Sequence, residues 1–285
     1  MKKIILSIIG LIAVYAIAAF SFHLPPFNGG TQQQARTIKV GIMAGSKTED
    51  GKWKLIAKNA KKYNLDIKLT RFTDYSQPNA ALQNKDIDVN AFQHYAFLED
   101  WNKSHKNSTL VPVGETVLAP GPIFSEKYKK ISDIPDGATI TVPNDPSNLS
   151  RALFTLQAAG LIKIKSDVKN PSVTDISENK KDLKIKLVQA DQTLASLQDV
   201  AAAFVNSNFI TAAKKDVRDS IFLWTVNTNE THQWVNILAA RKDNEKDSKV
   251  KDLIKAFQQK NVGDYINSHS GGSEIAAWKG APKFK

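Results

Sequence analysis

Hydrophobic and polar positions along this chain switch repeatedly between a period near two and a period near 3.6, and that switching sets the expected elements. Thr37–Ile42 (TIKVGI) and Leu65–Phe72 (LDIKLTRF) read as strands, and Lys52–Tyr63 between them carries apolar residues at helical spacing. A short helix is expected over Asn79–Gln83 behind Pro78, since proline suits a first helical turn. Ile87–Ala91 follows as a strand and Ala96–Ser104 as a helix. A second set begins with a strand at Thr139–Val142, a turn at Pro143–Ser147, and a helix over Asn148–Ala159. That helix puts Leu149, Ala152, Leu153 and Leu156 on one face and meets Gly160 as its stop. Lys184–Val188 and Val200–Val205 read as strands around a short helix at Thr193–Leu197. The last strand is Val235–Arg241 (VNILAAR), followed by an amphipathic helix at Lys249–Gln259.

This strand–helix order predicts an α/β protein with two lobes, each a mostly parallel sheet flanked by helices. The final strand and helix imply that the chain leaves the first lobe and later returns. Crossings are expected near Thr116–Pro120 and Trp224–Asn229, giving one lobe from 37–118 plus 228–285 and another from 119–227. Ligands in such sheets sit beyond the carboxyl ends of the strands, here the cleft between lobes.

The N-terminus has a different pattern. Met1-Lys2-Lys3 precedes an apolar run from Ile4 to Phe22 that is interrupted only by Ser7, Gly10 and Ser21. Nineteen helical residues span about 28 Å, close to the hydrocarbon thickness of a bilayer. The leading lysines keep that end cytoplasmic and send the remainder outward. Residues 1–22 therefore read as an anchor helix in preference to a cleaved signal. Residues 23–36, with their prolines, glycines and glutamines, read as a flexible tether.

Composition narrows the chemistry. The 285 residues contain no cysteine, which removes disulfides, thiolate metal sites, thiol nucleophiles and N-terminal lipid attachment through sulfur. The net charge is +11, but the lysines are dispersed singly or in pairs such as Lys61-Lys62 and Lys214-Lys215. A solvated basic surface accounts for this better than a nucleic-acid groove. Dinucleotide, phosphate-loop, nucleophile-elbow and zinc-protease motifs are absent, and the five histidines show no metal-ligand spacing. No cofactor and no metal are expected, and the chain does not read as an enzyme.

What remains is polar side chains at strand ends and helix starts. Arg151 lies in the first turn of the 148–159 helix, roughly opposite its apolar stripe, where a guanidinium beside free backbone N–H groups suits a carboxylate. Asn206 and Asn208 follow an apolar strand and would share a face if that strand persisted. Asn236 sits inside the apolar VNILAAR strand and must satisfy its amide, either in a cleft or on a neighbouring strand. Tyr75, Phe92, His94 and Phe97 form an aromatic set around two strand ends, serving either as core or as pocket.

Six blocks in this order resemble the methionine-binding, NlpA-type lipoproteins. They are TIKVG (37–41), DYSQPNAAL (74–82), IDVNAFQHYAFL (87–98), IPDGATITVPNDPSNLSRAL (134–153), AGLIK (159–163) and VNILAAR (235–241). The resemblance implies a type II periplasmic-binding-protein fold closing on methionine or a near relative for an ABC importer in the membrane. It implies carboxylate binding by Arg151 with help from Asn148, backbone recognition by Asn208 and Asn236, and a side-chain pocket of Tyr75, His94 and Phe97, with Phe92 beside them. This chain departs from the pattern at the missing lipid-bearing cysteine, and at Phe97 and Phe209, where the family usually has tyrosine. These departures leave open another apolar amino acid, a short methionine-containing peptide, or a surface protein without a transport role. A monomer is expected.

Overall fold

The computed structural model describes residues 35–224 and 232–283. The apolar run at 1–22, most of the tether, and residues 225–229 of the second expected crossing lie outside the described residues. Among the described residues, no helix is long and apolar enough to cross a membrane.

The strands are β1 (Arg36–Met43), β2 (Leu65–Phe72), β3 (Val89–Asn90), β4 (Leu110–Leu118), β5 (Gly121–Phe124), β6 (Thr139–Pro143) and β7 (Lys163–Ile164). They continue with β8 (Ile176–Glu178), β9 (Lys184–Val188), β10 (Ala202–Phe204), β11 (Phe222–Trp224), β12 (Val235–Arg241) and β13 (Ile275–Ala276). The helices are α1 (Lys47–Ala60), α2 (Gln77–Gln83), α3 (Tyr95–Ser104), α4 (Pro146–Ala158), α5 (Ser207–Ala212), α6 (Ser248–Phe257) and α7 (Lys260–His269).

Two sheets carry the two lobes. One has six strands in the order β13-β4-β12-β3-β1-β2, the other five in the order β11-β5-β10-β6-β9, and β7 pairs with β8 apart from both. The parallel pairings are β1 with β2 and β3, and β6 with β9 and β10. The remaining strands of both large sheets join antiparallel, so each sheet is mixed where the helix–strand alternation predicted it mostly parallel. The antiparallel joints run through β4, β5, β11 and β13, which the hydrophobic pattern did not reveal, and through β12, which lies antiparallel to both β3 and β4. In LVPVGETVL a proline, a glycine and a glutamate interrupt the alternation, and the pairing of β12 with β4 shifts register at that point, with Leu238 opposite Gly114 and Ala239 opposite Pro112. The chain passes from the six-stranded sheet to the five-stranded one across Ala119–Pro120, between β4 and β5.

Each sheet buries its apolar residues under helices. Ile38, Val40 and Ile42 of β1 pack with Trp53 and Ile56 of α1, Leu253 and Phe257 of α6, and Val262 and Ile266 of α7. Ile140 and Val142 of β6 and Phe204 of β10 pack with Leu149, Leu153 and Leu156 of α4. Helix α7 was not anticipated; it follows the expected 249–259 helix after a break at Gln258.

Close helix packing explains Gly51, an otherwise unfavourable residue within α1. A Cβ there would overlap the Tyr265 hydroxyl oxygen on α7. Gly51→Ala is therefore expected to destabilise the fold by about 1–3 kcal/mol through overpacking. Helix propensity alone would give a gain of about 1 kcal/mol. Urea unfolding distinguishes the two signs.

Candidate functional site

The site is built from places where regular structure ends. Tyr75 lies between β2 and α2, and Phe92 and His94 lie between β3 and α3. His94 caps α3, its Nδ1 accepting from the Phe97 amide at 3.1 Å, which leaves the ring proton on Nε2. On the other lobe Asp145 caps α4, accepting from the Asn148 backbone N–H and from Asn148 Nδ2, each at 2.9 Å. Pro146 opens that helix, so Asn148 and Arg151 occupy its first turns.

All eight residues picked out from the sequence (Tyr75, Phe92, His94, Phe97, Asn148, Arg151, Asn208 and Asn236) line one cavity of about 720 Å³. The six-stranded lobe contributes Tyr75, the Phe92–His94 loop, Phe97 and Asn236, and the five-stranded lobe contributes Asn148, Arg151 and Asn206–Asn208. Asn206 and Asn208 reach it differently from the expectation. Strand β10 ends at Phe204, Asn206 becomes the residue before α5, and Asn208 sits in its first turn. Their shared direction comes from a helix start, not from an extended strand.

Arg151 is 3% exposed, and among the described residues no carboxylate lies within ion-pair distance of it. Its Nη2 donates to the Ala119 carbonyl, its Nε has no partner, and its guanidinium carbon sits 5.9 Å from the Trp234 ring centroid. Burial lowers its pKa to about 10, which still leaves it charged at neutral pH. A buried charge without a counter-charge costs several kcal/mol.

The neighbouring amides are partly committed. Asn148 Oδ1 accepts from Asn206 Nδ2 at 2.7 Å and from His94 Nε2 at 3.4 Å. Asn148 therefore frames the site, linking the two lobes through His94. Asn208 Oδ1 accepts from the Tyr75 hydroxyl, again across the cleft. Three buried polar atoms at the cavity remain unpartnered: Arg151 Nε, Asn208 Nδ2 and Asn206 Oδ1, two donors and one acceptor. The sequence offers Asn206 beside Asn208 as a candidate, but its orientation depends on Asn148, which is 58 residues away.

The opposite wall is aromatic. Tyr75 stands with ring centroids 5.9 Å from Phe92, 5.9 Å from Phe97 and 5.1 Å from Phe209. Phe97 also meets Phe92 at 5.5 Å and His94 at 6.2 Å. Burial, and then the charge of Arg151, push the His94 pKa down to about 3, so its imidazole is neutral. Burial raises the Tyr75 pKa, with Asp145 adding to the effect, so the phenol keeps its proton. The loop carrying Phe92 and His94 is held from behind by buried amides. Gln93 Nε2 donates to Asn79 Oδ1 at 2.7 Å and Asn90 Oδ1 at 2.9 Å, and Asn79 Nδ2 returns to Gln93 Oε1 at 2.9 Å. Chemically the cleft offers fixed donors and an acceptor on one side and a soft apolar surface on the other.

Known proteins share this sequence and architecture. Outer membrane lipoprotein 3 of Mannheimia haemolytica is 39% identical over 267 residues, covering 92% of this chain and 97% of that protein. The D-methionine-binding lipoprotein MetQ of Escherichia coli K12 is 36% identical over 255 residues, covering 88% of this chain and 92% of the relative. Among solved structures, a nutrient binding protein from Burkholderia cenocepacia bound to methionine superposes with a TM-score of 0.78 at 39% identity, covering 85% of this chain and all of that one. The NlpA lipoprotein profile matches residues 38–278, nearly the whole two-lobed body that holds the cleft, and this chain therefore belongs to the NlpA lipoprotein family.

Proposed function

We propose that this protein captures methionine or a closely related apolar amino acid outside the cytoplasm and delivers it to an ABC importer in the membrane. The observation that carries this reading is the trio of unpartnered buried atoms around Arg151. Arg151 Nε and Asn208 Nδ2 donate to a carboxylate, while Asn206 Oδ1 and the half-buried amide of Asn236 accept from an α-ammonium. The aromatic wall receives the side chain, where each sulfur–aromatic contact contributes about 0.3–1.5 kcal/mol. The methionine-bound relative and the methionine-binding names of the curated relatives support the same ligand class.

The protein works as a binder, a monomer whose lobes (37–118 with 228–285, and 119–227) close on the ligand and present a surface to the permease. Nucleic acid has no part in this role. The chain has no cysteine for a lipid, so the apolar run at 1–22 serves as the anchor.

Calorimetric titration of the full-length chain in detergent with L-methionine tests the reading. Saturable 1:1 binding is expected, and Arg151→Ala should weaken it by about 2–5 kcal/mol because the ligand carboxylate loses its counter-charge. An Arg151→Ala protein that binds like the wild type would sink the assignment.

The neutral His94 has a consequence for stability. With Arg151 and Asn148 facing it, the folded chain refuses a proton at His94 down to pH about 3, whereas the unfolded chain accepts one below about 6.5. The unfolded state thus binds more protons in this window, and stability falls as pH falls through it. His94→Gln removes that contribution. The stability lost between pH 7 and 5 should be smaller in this variant by about 2 kcal/mol, read from urea unfolding at both pH values.

A further inference from the structure

Tyr75 does more than line the aromatic wall. An asparagine side chain has a donor and an acceptor at nearly identical positions, and turning it over exchanges them at almost no steric cost. In this cleft the choice matters: beside Arg151, an inward Oδ1 would repel a carboxylate that an inward Nδ2 would bind. The α5 backbone does not make that choice. The local bond at this position runs from Thr211 Oγ1 to the Asn208 carbonyl and leaves the side-chain amide uncommitted. The side-chain amide's partner is the Tyr75 hydroxyl on the opposite lobe.

We infer that the Tyr75 hydroxyl is a positioning group for Asn208, turning its Nδ2 toward the ligand carboxylate from across the cleft, and that it does so only when the lobes are closed. A phenol has one proton to give. Donating it to Oδ1 commits that oxygen and leaves Nδ2 as the free end of the amide, which is the buried, unpartnered atom found at the cavity. Accepting from Nδ2 instead would strand the phenolic proton inside the cleft. The ring is held in place by Phe92, Phe97 and Phe209, and Tyr75 supplies the one phenol in that cluster. The second carboxylate donor is thus assembled by closure, whereas Arg151 is already held within its own lobe by helix α4 and by Ala119 at the crossing.

This inference rests on the amino-acid reading above, and it separates two roles within one residue. The ring reads the ligand side chain, and the hydroxyl acts on the carboxylate end that all amino acids share. The test measures dissociation constants and off-rates for L-methionine and L-norleucine with full-length wild type, Tyr75→Phe, Asn208→Ala and the double variant. Tyr75→Phe keeps the ring and should weaken both ligands by the same factor, roughly three- to tenfold, mainly through faster release. The double variant should be no weaker than Asn208→Ala alone, because the hydroxyl acts through that amide. Three results overturn the role: Tyr75→Phe binding like the wild type, a loss that differs between the two ligands, or losses that add in the double variant. A wild-type chain that binds neither ligand overturns the amino-acid reading itself, and this role with it.

Discussion

A guanidinium held out of water without an opposite charge is the constraint around which the cleft is organised. Arg151 is kept in that state by features that each have an independent cause. Asp145 and Pro146 start α4 at a fixed residue, so Arg151 emerges in an early turn. The apolar face of α4 is locked onto β6 and β10, which leaves the arginine on the cavity side. One nitrogen is occupied by the Ala119 carbonyl and another is left open. In the proposed role, the energy lost in burying the charge is recovered when a ligand carboxylate arrives, so the fold stores that affinity as local instability.

Around this charge the polar side chains divide into those already satisfied and those waiting. Asn148, Gln93, Asn79 and Asn90 are bonded to other protein groups, and they hold the geometry. Asn206 and Asn208 each have one end of the amide bonded and the other free. Half-satisfied amides of this kind are costly in an ordinary core, where buried polar atoms are almost always paired. Their concentration at one cavity, beside the unpaired arginine, separates a binding site from imperfect packing.

Much of this was legible in the amino-acid order. The alternation of strand and helix was read from periodicity, and Arg151 stood out as a cation in a first helical turn opposite an apolar stripe. The errors have physical reasons. Strand β4 was hidden because its proline, glycine and glutamate are accommodated by register shifts, which are tertiary events. A common face for Asn206 and Asn208 was expected only if the strand persisted; Phe204 ends β10 before them and a helix start sets their direction instead. The bonds across the cleft join residues 133 and 54 positions apart, and no local pattern encodes such a meeting.

The acceptor chosen for Arg151 has a mechanical meaning. Ala119 lies between β4 and β5, where the chain passes from one sheet to the other. In a body that folds about a line, points on the line hardly move while the rim sweeps widely. In the proposed role, tying the Arg151 guanidinium to that line lets the two halves swing shut without pulling a ligand carboxylate off its seat. A guest can thus be gripped at its charged end early, and its tail judged afterwards by whatever the moving jaw brings over it.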